Sequence, residues 1–250
     1  MFAFLQATSN HMQMSNITDP NIVQYYPLGD AAIVLQFGDE ISKDINAMIL
    51  NVAAWLDEYT FEGFVEYVPA FTSITIYYEP WVVRYSEVLS MLKEMIEDME
   101  ENENPEPPGT VTIPVYYGGA SGPDLNHVAD FHQMSVDEVI AMHTQPEYLV
   151  YMIGFAPGFP YLGGMDERLA TPRQESPRAK VPKGSVGIAG SQTGVYPLET
   201  PGGWQVIGQT PLELFDLSKE EPALLRAGQK IRFSPITEEE FLKIKADHGH

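Results

Sequence analysis

Hydrophobic and polar positions follow two regimes along the chain, and the change between them falls near residue 110. Ala31-Ala-Ile-Val-Leu-Gln-Phe37 is an apolar, β-branched run closed by Gly38-Asp39, which predicts a buried strand. From Ile45 the apolar residues Met48, Ile49, Val52, Leu56 and Tyr59 recur on one helical face, with Asp44, Asn51, Asp57 and Glu58 off it. Phe64 to Val68 and Ser73 to Tyr78 read as two strands joined around Pro69-Ala-Phe-Thr72. Pro80 ends the second, having no N–H for a ladder. Ser86 is the expected cap of a second helix, with Glu87 near its positive end and Val88, Leu89, Leu92, Met95, Ile96 and Met99 on one face. The predicted order is β-α-β-β-α: an antiparallel sheet covered by two helices, spanning residues 22–103.

Residues 1–21 show no periodicity and are expected to be a loose tail. An acidic run ending in Pro105-Glu-Pro-Pro-Gly109 predicts a linker over 104–109. Beyond it the elements shorten. Thr110 to Tyr117 alternates as a strand, and Pro114 marks an edge or the point where the strand enters a sheet. A Gly-rich turn to Asp124 leads into a short helix with Leu125, Val128 and Phe131 inward, and Ser135-Val-Asp-Glu138 is a capping box for the next. Glu147 to Phe155, Leu212 to Asp216 and Gln229 to Phe233 are predicted strands, and Thr237-Glu-Glu-Glu240 caps a final helix. Short strands with few short helices over 110–250 point to a barrel or sandwich, making the chain α+β overall.

Gly154 to Pro211 holds 11 of the 20 glycines and 8 of the 20 prolines, yet Phe155, Phe159, Tyr161, Tyr196 and Trp204 are interleaved with them. A disordered Gly/Pro tract is poor in aromatics, so these are ordered loops between strands. Some of the aromatics could line an apolar cleft; filling a barrel is the alternative.

Charge then narrows the function. With 35 acidic and 14 basic residues the net charge is -21, which disfavours nucleic acid and anionic membranes as partners. There is no cysteine, hence no thiolate nucleophile, disulfide or thiolate metal site. No apolar run approaches the ~20 residues of a membrane span, and Met1-Phe-Ala-Phe-Leu-Gln-Ala7 lacks the basic start of a signal peptide, so the expected location is cytoplasmic.

Against that acidic background, Arg168, Arg173, Arg178, Lys180 and Lys183 put 5 of the 14 basic residues into 16 positions beside one acid, Glu175. Such an island can hold a carboxylate or phosphate, helped by backbone amides of Gly turns. It can equally pair with the acids of the N-terminal region. Ser185, Ser191 and Thr193 lie on Gly-rich turns, where hydroxyls orient a substrate or bond the turn itself. No G-x-S-x-G surrounds them, and Pro182-Lys-Gly-Ser185 lacks phosphate-loop spacing. None of the six histidines has convincing metal spacing, so no metal is expected. His143 precedes the strand feeding the Gly/Pro stretch; it is a candidate acid or base, or a core or helix-end histidine.

Tyr151-Met-Ile-Gly-Phe-Ala-Pro-Gly-Phe-Pro-Tyr-Leu-Gly-Gly164, Ala170-Thr-Pro-Arg173, Val181 to Gly190, Gln192-Thr-Gly-Val-Tyr-Pro197 and Pro201-Gly-Gly-Trp204 together resemble the KipI / 5-oxoprolinase B-subunit family, also called allophanate hydrolase subunit 1. The resemblance runs from about residue 22 to 242. It implies a small α+β domain followed by a cyclophilin-like β-barrel. It also implies two partners, a KipA-like subunit (allophanate hydrolase subunit 2, or the 5-oxoprolinase C-type subunit) and a LamB/YcsF-like subunit, which together use ATP to open 5-oxo-L-proline to L-glutamate. The implied route phosphorylates the lactam oxygen so that water can attack the ring carbon. His143, Arg173 and Lys183 are the candidate catalytic residues. Phe159, Tyr161, Arg178, Ser185, Gln192, Thr193 and Tyr196 are the candidate substrate contacts.

The sequence departs from the family at Ala120-Ser121, where members usually carry an acid and an aromatic, so no role of that acid carries over. The cyclophilin-like fold does not imply prolyl isomerase activity, because the Phe-His-Arg run of true cyclophilins is absent. Inhibition of a sensor histidine kinase and a role in urea or allophanate metabolism are the alternative functions.

Overall fold

The computed structural model describes residues 23–99 and 109–248. The expected tail, and the expected linker apart from Gly109, lie outside them.

Four strands, β1 (Gln24–Pro27), β2 (Ala32–Gln36), β3 (Phe64–Pro69) and β4 (Ser73–Tyr78), form an antiparallel sheet in the order β1-β2-β4-β3. Period-2 alternation puts Ile33, Leu35, Ile74, Ile76 and Tyr78 into one core with Ile49, Val52 and Leu56 of α1 (Lys43–Glu58) and Val88 and Leu92 of α2 (Tyr85–Asp98). The predicted order omits β1, because Gln24-Tyr-Tyr-Pro27 at the sheet edge has no apolar alternation. Ser42 caps α1 by accepting from the Ile45 N–H at 3.1 Å. Ser86 does not cap α2. The helix starts at Tyr85, and the Glu87 carboxylate accepts from the Arg84 N–H at 2.9 Å.

Seven strands close a barrel: β5 (Val111–Tyr117), β6 (Tyr148–Ile153), β7 (Pro160–Gly163), β9 (Ser185–Ala189), β10 (Gln192–Val195), β12 (Gln205–Gln209) and β13 (Lys230–Pro235). Their order around the ring is β10-β7-β6-β13-β5-β12-β9. β13 pairs in parallel with β5, and the remaining ladders are antiparallel. Pro114 lies opposite Ser234 of β13, while β12 joins β5 only at Tyr116 and Tyr117, so its missing N–H falls where one neighbour is present. β8 (Arg178–Val181) and β11 (Thr200–Gly202) make a separate two-stranded ribbon. Helices α3 (Leu125–His132) and α4 (Val136–Thr144) pack on each other and on β12 and β13 respectively, and α5 (Glu238–His248) lies against β5.

The barrel core is mostly aliphatic, with Ile113, Val115, Val150, Leu162, Val186, Ile188, Val195, Ile207 and Ile231 buried together beside the rings of Tyr148 and Phe233. Two expectations fail here. Leu212–Asp216 is no strand: its β-pairing is a single isolated bridge from Phe215 to Ala223, and Leu214 is buried as a plug from an irregular loop. Phe131 is 52% exposed rather than inward, since Leu125, Val128 and Ala129 already fill the buried side of α3.

Helix α1 also touches the barrel. Asn46, 1% exposed, donates from Nδ2 to the Tyr151 carbonyl at 3.1 Å. Phe71 meets the ring of Tyr161 edge-on at 5.5 Å. Gly228, at φ +80°, lies where a Cβ would come within 2.7 Å of Leu50, so glycine both permits the turn and lets the helix approach.

Candidate functional site

The strand period of two puts Arg178 and Lys180 on the same face of β8, and both line a cavity of about 190 Å³. Ser185 at the start of β9 and Gln209 at the end of β12 supply polar wall; Val181 and Val206 supply apolar wall. Ala120 and Ser121, the pair that departs from the family pattern, line it as well.

Asp124, only 7% exposed, organises this end of the barrel. Its carboxylate accepts from Arg178 Nη2 at 2.6 Å, from Gln174 Nε2 at 3.1 Å and from the Val206 N–H at 2.7 Å. A buried carboxylate needs such partners. Arg178 Nη2 is thereby engaged, whereas Nη1 is enclosed and has no hydrogen-bond partner among the described residues. The second glutamine, Gln205, donates from Nε2 to the Pro172 carbonyl at 2.9 Å, and Gln174 lies 3.5 Å from its Oε1.

The basic island separates once folded. Lys183 pairs with Glu213 at 2.5 Å, Lys180 with Glu199 at 2.9 Å and Arg168 with Asp166 at 2.6 Å. The acids come from the barrel region, not from the N-terminal sheet. Arg173 is exposed and makes no hydrogen bond or ion pair among the described residues. Its charge and that of Arg178 act on Tyr196, whose hydroxyl is pushed up by burial and drawn back by a Trp204 backbone hydrogen bond and by these two cations.

Tyr196, Phe159 and Trp204 form a small core with Val181 and Val206, distinct from the barrel interior. Phe159 is its hub, with ring centroids 5.1 Å from Tyr161, 5.6 Å from Tyr196 and 5.6 Å from Trp204. Phe155 sits above it, 67% exposed and at φ 67°. A side chain at positive φ is uncommon in a bulky residue and carries strain.

His143 lies elsewhere, inside the barrel core and 0% exposed, stacked on Phe233 at 4.5 Å. Thr193 Oγ1 donates its one proton to the Gly187 carbonyl at 3.0 Å, so toward His143 Nε2, 2.8 Å away, it accepts. Nε2 therefore carries the proton, and Nδ1 accepts from the Tyr117 hydroxyl at 2.8 Å. Burial pushes the imidazole down to about 3 and the Tyr117 phenol well above its usual range. The chain Tyr117–His143–Thr193–Gly187 is a neutral, saturated buried network. It joins β5, α4, β10 and β9 in the barrel interior.

Of the residues singled out in the sequence, Arg178 and Ser185 share the cavity; Tyr196 and Phe159 stand in the adjoining aromatic core, with Tyr161 packed beside it. Thr193 and His143 are joined in the barrel, Gln192 is half-buried at the start of β10, and Lys183 is held on the surface by Glu213. Asp124, Gln174, Gln205 and Gln209 were not singled out. The only local signal for Asp124 is its place between a Gly-Pro turn and a helix, which many solvated aspartates share. The loop Pro182 to Ser185 also offers little to a phosphate: the Gly184 N–H donates to the Tyr196 carbonyl at 2.7 Å and that of Ser185 to the Pro182 carbonyl at 3.2 Å. The 190 Å³ cavity is below the range of nucleotide-sized sites.

Residues 23–225 match the family described as carboxyltransferase domain, subdomain C and D. The chain belongs to this family. Among carboxyltransferase-domain relatives, the 5-oxoprolinase B-type subunit of Bacillus subtilis (strain 168) is 47% identical over 238 residues, covering 90% of this chain and 97% of that protein. That of Escherichia coli O157:H7 is 44% identical, covering 85% and 96%. These identities place the chain in the 5-oxoprolinase B-subunit family, as the motifs between Tyr151 and Trp204 imply. The solved structure of TTHA0988 superposes with a TM-score of 0.75 at 35% identity over 82% of this chain, which spans 40% of that longer one. PH0987 from Pyrococcus horikoshii is 48% identical with a TM-score of 0.52, covering 87% of this chain and all of that one. The K. lactis urea amidolyase, at 21% identity and a TM-score of 0.72, shares the fold. Among the described residues no helix is long and apolar enough to cross a membrane.

Proposed function

We propose that this chain is the B-type subunit of a cytoplasmic, ATP-dependent 5-oxoprolinase that hydrolyses 5-oxo-L-proline to L-glutamate with KipA-like and LamB/YcsF-like subunits. The observation that carries this reading is 47% identity across 97% of a protein named as the B-type subunit of 5-oxoprolinase. The urea amidolyase relative is 23% identical, and the chain covers 14% of it, so the urea reading ranks below.

Within this proposal the chain contributes the cationic rim of the barrel, where Arg178 and Arg173, which has no ion pair among the described residues, meet a carboxylate or phosphoryl group, with Tyr196 beside them. ATP would supply the phosphoryl group that activates the lactam oxygen. The size of the cavity and the occupied Gly184 and Ser185 amides favour a nucleotide site on another subunit. The test is reconstitution: the three purified subunits, 5-oxoproline and ATP, with glutamate release measured. Release that needs this chain supports the reading, and a complete assembly without release rejects it.

A further inference from the structure

We infer, resting on the multi-subunit reading above, that the end of the N-terminal sheet around Trp81 is a docking surface for another protein, one that offers lysine and arginine side chains around an apolar recess.

Trp81 follows Pro80, just past the end of β4, and is 79% exposed. Among the described residues it meets neither a second ring nor a hydrogen-bond partner. Val82 beside it is 42% exposed and Val65 54%. These side chains belong to one surface. The Glu79 N–H donates to the Gly63 carbonyl at 2.8 Å, and a Cβ added at Gly63 would stand 3.1 Å from Val82. Val65 follows two positions later, at the register shift between Phe64 and Glu66 that leaves Val65 and Glu66 both exposed. β3 is moreover an edge of the sheet, paired with β4 on one side only. Single apolar side chains scattered over a surface are ordinary, whereas a tryptophan grouped with two valines at a sheet edge is the kind of patch that protein interfaces bury.

Charge selects the occupant. Residues 23–99 hold 13 acidic and 3 basic residues, and every ion pair among the described residues lies between Asp124 and Arg232. The imbalance is sharpest at the Trp81 end. Asp57 and Glu58 close α1 with no base in its last turn, which sets two carboxylates at the negative pole of the helix. The Tyr67 hydroxyl donates to Asp57 at 2.8 Å, a neutral partner that leaves the charge uncompensated. Glu62, Glu66 and Glu79 add three more acids, and Arg84 is the one base from residue 57 to 84. A charge on an edge strand ordinarily serves to keep other strands away. Glu66 alone would do that, and it accounts neither for the carboxylates ending α1 nor for the exposed indole. A second copy meeting this face with its own would bring like charges together, and residues 1–22 contain no lysine or arginine. A basic protein surface with an apolar recess answers both halves of the patch.

The test is pairwise binding of the full chain to the purified KipA-like subunit and, separately, to the purified LamB/YcsF-like subunit, by biolayer interferometry at rising salt. One of the two is expected to bind, more weakly as salt rises. Trp81→Ala and the double variant Glu62→Lys/Glu66→Lys should each weaken that binding roughly tenfold or more. Leu217→Ala, which trims an 80% exposed side chain on the barrel, should leave it unchanged. All four positions are exposed, so thermal midpoints should match the wild type. The docking surface is overturned if the wild-type chain binds neither subunit, if the Trp81 and glutamate variants bind as tightly as the wild type, if Leu217→Ala loses as much as they do, or if salt has no effect. Glutamate release is scored apart. An assembly that releases glutamate while Trp81→Ala binds normally overturns the surface and leaves the proposed function standing; a Trp81-dependent contact without release does the reverse.

Discussion

Arg178 and Asp124, 54 positions apart in sequence, meet at 2.6 Å and tie the β8 ribbon to the start of α3. Removing one member strands the other. Asp124→Ala should lower unfolding free energy by roughly 2–4 kcal/mol, toward the lower end for a buried pair because the Arg178 side chain is 31% exposed. Asp124→Asn, which keeps an acceptor for the Val206 N–H, should lose less. Urea denaturation of the two variants gives the comparison.

Arg173 is the converse case, a guanidinium without an ion pair among the described residues. Arg173→Ala should leave stability within about 0.5 kcal/mol, as for a surface substitution away from any packed feature. If the rim serves the proposed reaction, glutamate release in the assembled complex should nevertheless fall. Parallel melting curves and activity assays decide it.

His143 gives the fold a pH dependence. Its imidazole is held at about 3 in the fold against an ordinary value of 6.5. The unfolded chain therefore takes up a proton below pH 6.5 that the fold refuses. Stability is intact above 6.5 and declines as pH falls toward 3, at up to about 1.4 kcal/mol per pH unit. His143→Gln should be less stable at neutral pH, having broken the network, yet show a shallower loss between pH 6.5 and 5. Denaturant midpoints across that window measure the slope.

Gly122 lies where an added Cβ would come within 2.1 Å of the Ile207 carbonyl oxygen on β12. Gly122→Ala should cost at least about 2 kcal/mol, since the obstacle is backbone and cannot rotate away. The thermal midpoint is the readout. A neutral substitution would mean that the turn after β5 shifts freely.

Phe155 holds a left-handed conformation while mostly exposed. Phe155→Asn relieves that strain, because Asn tolerates positive φ, at the loss of one edge contact with Phe159. A net gain of up to about 1 kcal/mol is expected on balance of strain and contact. Guanidinium unfolding reports it.

What could be read in the sequence was what local pattern dictates. The Ser135–Glu138 capping box forms as spaced, and the Val52–Leu56 face of α1 is buried as its period requires. The edge strand β1 carries no such signal. Leu212 to Asp216 carries a false one: apolar residues were needed there to plug the core, and composition does not distinguish a plug from a ladder. The candidate site was less legible. The clustering of basic residues from Arg168 to Lys183 was visible, but which acid each would find depends on contacts 19 to 54 positions away or, for Arg168, on its near neighbour Asp166. His143 shows the same limit. One histidine before a strand reads as core or helix end before it reads as catalyst, and the sequence does not show that Tyr117 and Thr193 stand on either side of it.

β13 is the last barrel strand in sequence yet lies between β5 and β6, the first two. A chain emerging from the ribosome can complete the N-terminal sheet early, since its strands and helices are contiguous, but the barrel stays open until residues 230–235 appear. Throughout that interval the edges of β5 and β6 lack their shared neighbour. Truncation between Gln209 and Lys230 would leave nascent material with two unpaired edges, a natural substrate for chaperones and proteases.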